Sequence, residues 1–112
     1  MTSAPSRKAG ILTNALTIDV EDYFQVSALA PHFPKESWND TPCRVERNVL
    51  KILELLDRNG ARGTFFTLGW IAERYPKLIR AIADQGHEVA SHGYSHQRAS
   101  DQTPEAFLAD IQ

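Results

Sequence analysis

Three short runs rich in β-branched, aromatic and small residues (residues 15–20, 64–68 and 88–91) alternate with segments of helical periodicity. Each reads as a strand, and in the first Leu16, Ile18 and Val20 share a buried face opposite Ala15 and Thr17. The clearest helix is predicted over residues 44–59. There Val45, Val49, Ile52, Leu53 and Leu56 form one stripe, with Glu46, Lys51, Glu54 and Arg58 on the other side. Gly60 stands where a left-handed cap is expected. Ile71, Tyr75, Leu78, Ile79 and Ile82 repeat the stripe, and Pro76 predicts a short helical turn before a main helix that it opens. Gly86 closes that helix. Thr103, Pro104 and Glu105 start another, with Phe107, Leu108 and Ile111 as its apolar side. Strand and helix thus alternate three times, which predicts right-handed βαβ units: an α/β fold with a parallel sheet under helices.

Composition narrows the function classes. The length of 112 residues suits one small domain, in which residues 1–10, polar and Pro-containing, read as a disordered lead-in. Residues 21–42 hold four aromatics and three prolines with no clear period, so a functional loop or one with local structure is expected. A formal charge of −2 gives no electrostatic footprint for nucleic acid or an anionic membrane. No apolar run approaches the ~20 residues of a transmembrane helix. Arg7 and Lys8 are not followed by an apolar core, so no signal peptide is visible and a cytoplasmic location is expected. The single Cys43 fits a reducing compartment and reads as an incidental thiol.

The chemistry gathers at the C-terminal ends of the predicted strands, where sites form in parallel α/β folds. Asp19, Glu21 and Asp22 end the first, and His92 and His96 follow the third. Alone, the acids read as a solvated turn and the histidines as a surface pair. Together, one acid and two imidazoles make a three-ligand set for a divalent metal such as zinc, with a position left for water. A further carboxylate beside it would act as general base. If the strand continues, Asp19 and Glu21 project to one side and Asp22 elsewhere, unless the chain turns after Asp19. His32 and His87 read as structural. Phe65 and Phe66 read as core. Tyr23, Phe24 and Trp38 read as packing, with sugar stacking as the alternative.

Residues 16–24 (LTIDVEDYF), 63–69 (GTFFTLG) and 86–96 (GHEVASHGYSH) together resemble the polysaccharide deacetylase family, the NodB-homology or carbohydrate esterase 4 domain. The DVEDYF form further resembles the branch associated with exosortase-linked exopolysaccharide loci. The resemblance runs from residue 11 to the end of the chain. It implies the N-terminal portion of a distorted (β/α) barrel, with zinc held by one acid, His92 and His96, and Asp19 as general base. Water would attack an N-acetyl amide of a polysaccharide or oligosaccharide, a backbone N–H after the first motif would help stabilise the oxyanion, and acetate would leave.

The sequence departs from the family pattern in two places. The metal acid ordinarily follows the base directly, but Val20 is there, so the role falls to Glu21 or Asp22. The family's later Arg-x-Pro, Asp-Trp and Leu-x-His segments have no counterpart. This implies that the chain is the N-terminal part of a longer protein, with a sheet edge left unpaired. Two other readings remain: a hydrolase of cyclic amides, suggested by related Asp-x-acid branches, and a metal- or sugar-binding module without turnover.

Overall fold

In the computed structural model, which describes residues 12–112, Val45, Val49, Leu53 and Leu56 fall on one face of α1 (Val45–Arg58) and are buried. They meet Val20 of β1 (Thr17–Val20) and Phe65 of β2 (Thr64–Thr67) in a single core. Leu68, Ile71 of α2 (Gly69–Arg74), and Leu78 and Ile82 of α3 (Pro76–Asp84) complete it. Burying such side chains stabilises the fold by about 1.5–3 kcal/mol each. α2 ends at Tyr75, and Pro76 opens α3, where its missing N–H has no helical partner to lose. Gly60 and Gly86 adopt positive φ (62° and 87°) just beyond α1 and α3, as the caps require.

The sheet is parallel throughout, in the order β1-β2-β3, with β3 at Glu88–Ser91. Its register aligns Asp19 with Phe66 and Ala90, and Val20 with Thr67 and Ser91. Ile18, Val20, Phe65 and Thr67 therefore share the face that meets the core. Asp19 and Phe66 lie on the other, where Thr64 donates across to Glu88 at 2.7 Å. Among the described residues β1 and β3 each pair on one side only. No described helix is long and apolar enough to cross a membrane.

Some expectations need correcting, and others hold. Leu16 lies before β1 and is exposed, because the strand begins at Thr17, although the Leu16 carbonyl still accepts from Thr64 N–H at 2.9 Å. α4 (Pro104–Ile111) starts as predicted, with Thr103 Oγ1 accepting from Ala106 N–H at 3.1 Å. Its apolar residues Phe107, Leu108 and Ile111 are nevertheless exposed. Residues 21–42 have structure of their own: 3-10 turns at Tyr23–Gln25, Ser27–Leu29 and Lys35–Asp40. Phe24 is their centre. It is fully buried and packs edge-on against Tyr23, Trp38 and Trp70. The expected lead-in at residues 1–10 lies outside the described residues.

Candidate metal centre

β1 delivers three acids, and the turn that follows sends them to different tasks. Asp22 is only 3% exposed and caps the 3-10 turn at Tyr23–Gln25. Its Oδ1 accepts from Tyr23 N–H at 3.0 Å, and its own N–H donates to Gln25 Oε1 at 2.7 Å. Its other oxygen, Oδ2, accepts from Arg44 N–H (2.7 Å) and Val45 N–H (3.0 Å), which are free at the start of α1. Arg44 supplies no side-chain cap, so Asp22 caps α1 from 22 residues away. Of the two acids left open by the sequence, Asp22 is turned to the backbone.

Glu21 faces the histidines. Its Oε2 lies 2.9 Å from His96 Nε2 and 3.6 Å from His92 Nε2. The imidazole rings stand at 89° to each other with centroids 5.0 Å apart. One ligand atom from each of Glu21, His92 and His96 lies within 4.8 Å of the others. Three atoms bonded at ~2.0 Å to a tetrahedral zinc would be roughly 3.3 Å apart, so the set fits such an ion with small adjustments. Glu21 Oε2 and His92 Nε2 are buried, and neither has a hydrogen-bond partner among the described residues. The 2.9 Å approach to His96 is therefore a close contact without hydrogen-bond alignment. Polar atoms buried in this way ordinarily have partners, and a cation between them would satisfy both. Asp19 stands beside this set, its Oδ2 3.8 Å from His92 Nε2 and its side chain 53% exposed.

The histidine loop is held by backbone contacts. His92 N–H donates to the Thr67 carbonyl at 3.0 Å, extending the β2–β3 ladder past Ser91. The carbonyls of Gly93 and Tyr94 accept from Gly69 and Trp70 N–H, at 2.8 and 3.0 Å, so the first turn of α2 docks the loop. The Tyr94 hydroxyl lies 3.4 Å from Glu73 Oε2, and burial followed by the Glu73 charge holds its pKa above the usual tyrosine value. His96 adopts φ 62°, a left-handed conformation costing a non-glycine residue roughly 1–2 kcal/mol. Strain of this kind collects at functional sites, and here it accompanies an imidazole set against Glu21. A Cβ at Gly69 would come within 2.7 Å of the Tyr94 ring and 3.3 Å of its Cα. Gly69→Ala is thus expected to displace the loop and weaken zinc binding by about tenfold or more, measured by competition with a chromophoric chelator. Unchanged affinity would show that the loop position does not govern the site.

Other expectations resolve into structure. The N–H groups of Asp22, Tyr23 and Gln25 all donate within the turn, so these three are not available to an oxyanion. His87 is buried, its Nδ1 accepting from Gly63 N–H at 3.1 Å while its ring packs on Phe65, and His32 is exposed. Thr67 Oγ1 donates to the Phe65 carbonyl. Cys43 is a free thiol whose Sγ donates to the Thr41 carbonyl at 3.7 Å; the nearby thiol, with burial second, holds the Tyr75 hydroxyl above its usual pKa. Gln25 and Gly69 were missed as contributors. The pattern Asp22-x-x-Gln25 is a capping-box signal that reveals the first, whereas no local signal marks the second.

Comparison with known proteins matches these features to one family. The polysaccharide deacetylase sequence profile matches residues 37–112, which include both histidines but neither Asp19 nor Glu21. A peptidoglycan-N-acetylglucosamine deacetylase of Bacillus cereus is 44% identical over 46 residues, 41% of this chain and 17% of that protein. A chitooligosaccharide deacetylase of Sinorhizobium fredii is 41% identical over 46 residues, 41% of this chain and 21% of that protein. The structure of peptidoglycan deacetylase PdaC from Bacillus subtilis superposes with a TM-score of 0.63 at 24% identity, over 87% of this chain and 37% of that one. At that identity the likeness is one of fold: the parallel strands here correspond to part of a (β/α) barrel. The chain spans well under half the length of each of these relatives. With the profile covering more than half of its residues, and the histidine loop within the match, the chain belongs to the polysaccharide deacetylase family.

Proposed function

We propose that this chain carries the metal-binding part of a polysaccharide deacetylase that hydrolyses N-acetyl amides on a glycan. The observation that carries this reading is the burial of Glu21 Oε2 and His92 Nε2, 3.6 Å apart and without hydrogen-bond partners among the described residues, beside His96. Glu21, His92 and His96 hold a divalent ion, zinc by the chemistry of one carboxylate and two imidazoles. When bound, the ion supplies Lewis acidity, lowering the pKa of water and polarising the amide carbonyl.

This chain's own residues do the rest of what can be derived. Asp19, beside His92 but outside the ligand group, accepts the proton from the attacking water at its carboxylate. Its exposure leaves room for water and substrate on that side. Asp22 contributes indirectly, fixing the turn that sets Glu21 toward the histidines. The DVEDYF pattern supports an exopolysaccharide as the glycan, and the named relatives act on peptidoglycan N-acetylglucosamine and chitooligosaccharide.

The test is metal analysis of the full-length protein. His92→Ala and His96→Ala are each expected to reduce zinc content after dialysis from near one equivalent to a small fraction. Full retention of zinc by both variants would remove the proposed site. Acetate release from an N-acetylated oligosaccharide, with no turnover of a cyclic ureide, would then identify the reaction.

A further inference from the structure

A cavity of about 490 Å³ opens beside the proposed metal site, within the range of small-ligand pockets. His96 belongs to its wall, so an occupant lies next to the site of reaction. Its apolar lining comes from Phe24, Phe33 and Trp38 of the 21–42 stretch. Phe24 and Trp38 are buried, while Phe33 is half-buried and offers a surface for the C–H face of a sugar ring.

Gln25 gives the cavity a polar group of defined sense. The residue is 3% exposed and forms part of the wall. Its Oε1 is fixed as an acceptor by the 2.7 Å bond from Asp22 N–H, so Nε2 carries the donors. Nε2 is buried, and among the described residues it has no hydrogen-bond partner. A pocket with an aromatic wall, with Lys35, Arg98 and Asp101 also in its lining, and with a buried amide donor that has no partner among the described residues, suits a ligand that presents a ring face and polar oxygens together. A sugar hydroxyl or acetamido oxygen meets that requirement.

We propose that this cavity seats a sugar unit of the substrate next to the one being deacetylated, with Gln25 Nε2 as its selecting donor and Phe33 as its platform. The inference rests on the deacetylase reading for the identity of the ligand, but its test can fail separately. Trp38 in the wall provides a fluorescence signal for titration of the full-length protein with tri-N-acetylchitotriose. Gln25→Glu keeps the acceptor for Asp22 N–H and sets an acceptor where the donor was. It is expected to raise the Kd for the trisaccharide about tenfold. KM for acetate release should rise by a similar factor, and in Phe33→Ala, which leaves the turn bonds of Asp22 and Gln25 in place, kcat should stay within about twofold with bound zinc unchanged. Phe33→Ala should weaken binding in the same direction, and it decides the matter if Gln25→Glu loses its near-UV circular dichroism. Acetate release with an unmoved Kd in the folded variants overturns the subsite and leaves the deacetylase reading standing. Trisaccharide binding that responds to both variants, without acetate release, supports the subsite and overturns the deacetylase reading.

Discussion

Asp19→Asn in the full-length protein is expected to lower acetate release by about 10²–10⁴-fold, the range lost with a general base, while bound zinc stays unchanged. The expectation comes from the separation of Asp19 from the ligand group. Its Oδ2 is 3.8 Å from His92 Nε2, close enough to border a site between the two, yet the converging set is Glu21, His92 and His96. Asparagine preserves the size of the side chain and its exposed position but cannot take a proton from water. Acetate release and zinc content measured on one preparation separate the outcomes. Loss of zinc together with activity would make Asp19 a ligand. An unchanged rate with zinc retained would remove it from the chemistry.

The architecture was readable where local periodicity carries it. The stripe Val45, Val49, Leu53, Leu56 encodes α1, and Pro76 with Gly86 encodes the limits of α3, because helix phase and caps depend on neighbours in sequence. The exposure of Phe107, Leu108 and Ile111 was not readable. An apolar stripe predicts a helix face but does not say what covers it. The same division runs through the site. Spacing brought Asp19, Glu21, His92 and His96 to one end of a parallel sheet, and the structure places them together there. It did not reveal the positive φ of His96, which depends on the loop docking to the start of α2.

The choice between Glu21 and Asp22 stayed open in the sequence for a similar reason. The turn after Val20 is held by bonds from Asp22 to Arg44 and Val45, more than twenty residues later in the chain. Neighbouring acids of nearly equal chemistry are therefore turned in different directions by a long-range cap, which local spacing does not encode. The same turn places Gln25, so the cap of α1, the acid facing the histidines and the wall of the adjacent cavity share one support.

That shared support predicts that the two acids fail in different ways when replaced. Glu21→Gln removes the carboxylate from the set while leaving the turn, the cap and the core as they are. Zinc affinity should fall by more than about 100-fold, beyond the loss seen when an outer partner of a ligand is removed, with little change in Tm. Asp22→Ala should do the reverse first. It strands the N–H groups of Tyr23, Arg44 and Val45, two of them at a helix start where a charged acceptor is most effective. The cost is about 2–4 kcal/mol, from a lost cap and hydrogen bonds to a charged group. In a domain of about 100 residues a loss of that size lowers Tm by roughly 8–32 °C. Zinc affinity should fall only as far as the loosened turn lets Glu21 move, and saturating zinc should recover part of the lost Tm by mass action. Thermal unfolding with and without zinc measures both effects. Abolished zinc binding in Asp22→Ala at an unchanged metal-free Tm would reverse the assignment, making Asp22 the ligand and Glu21 its neighbour.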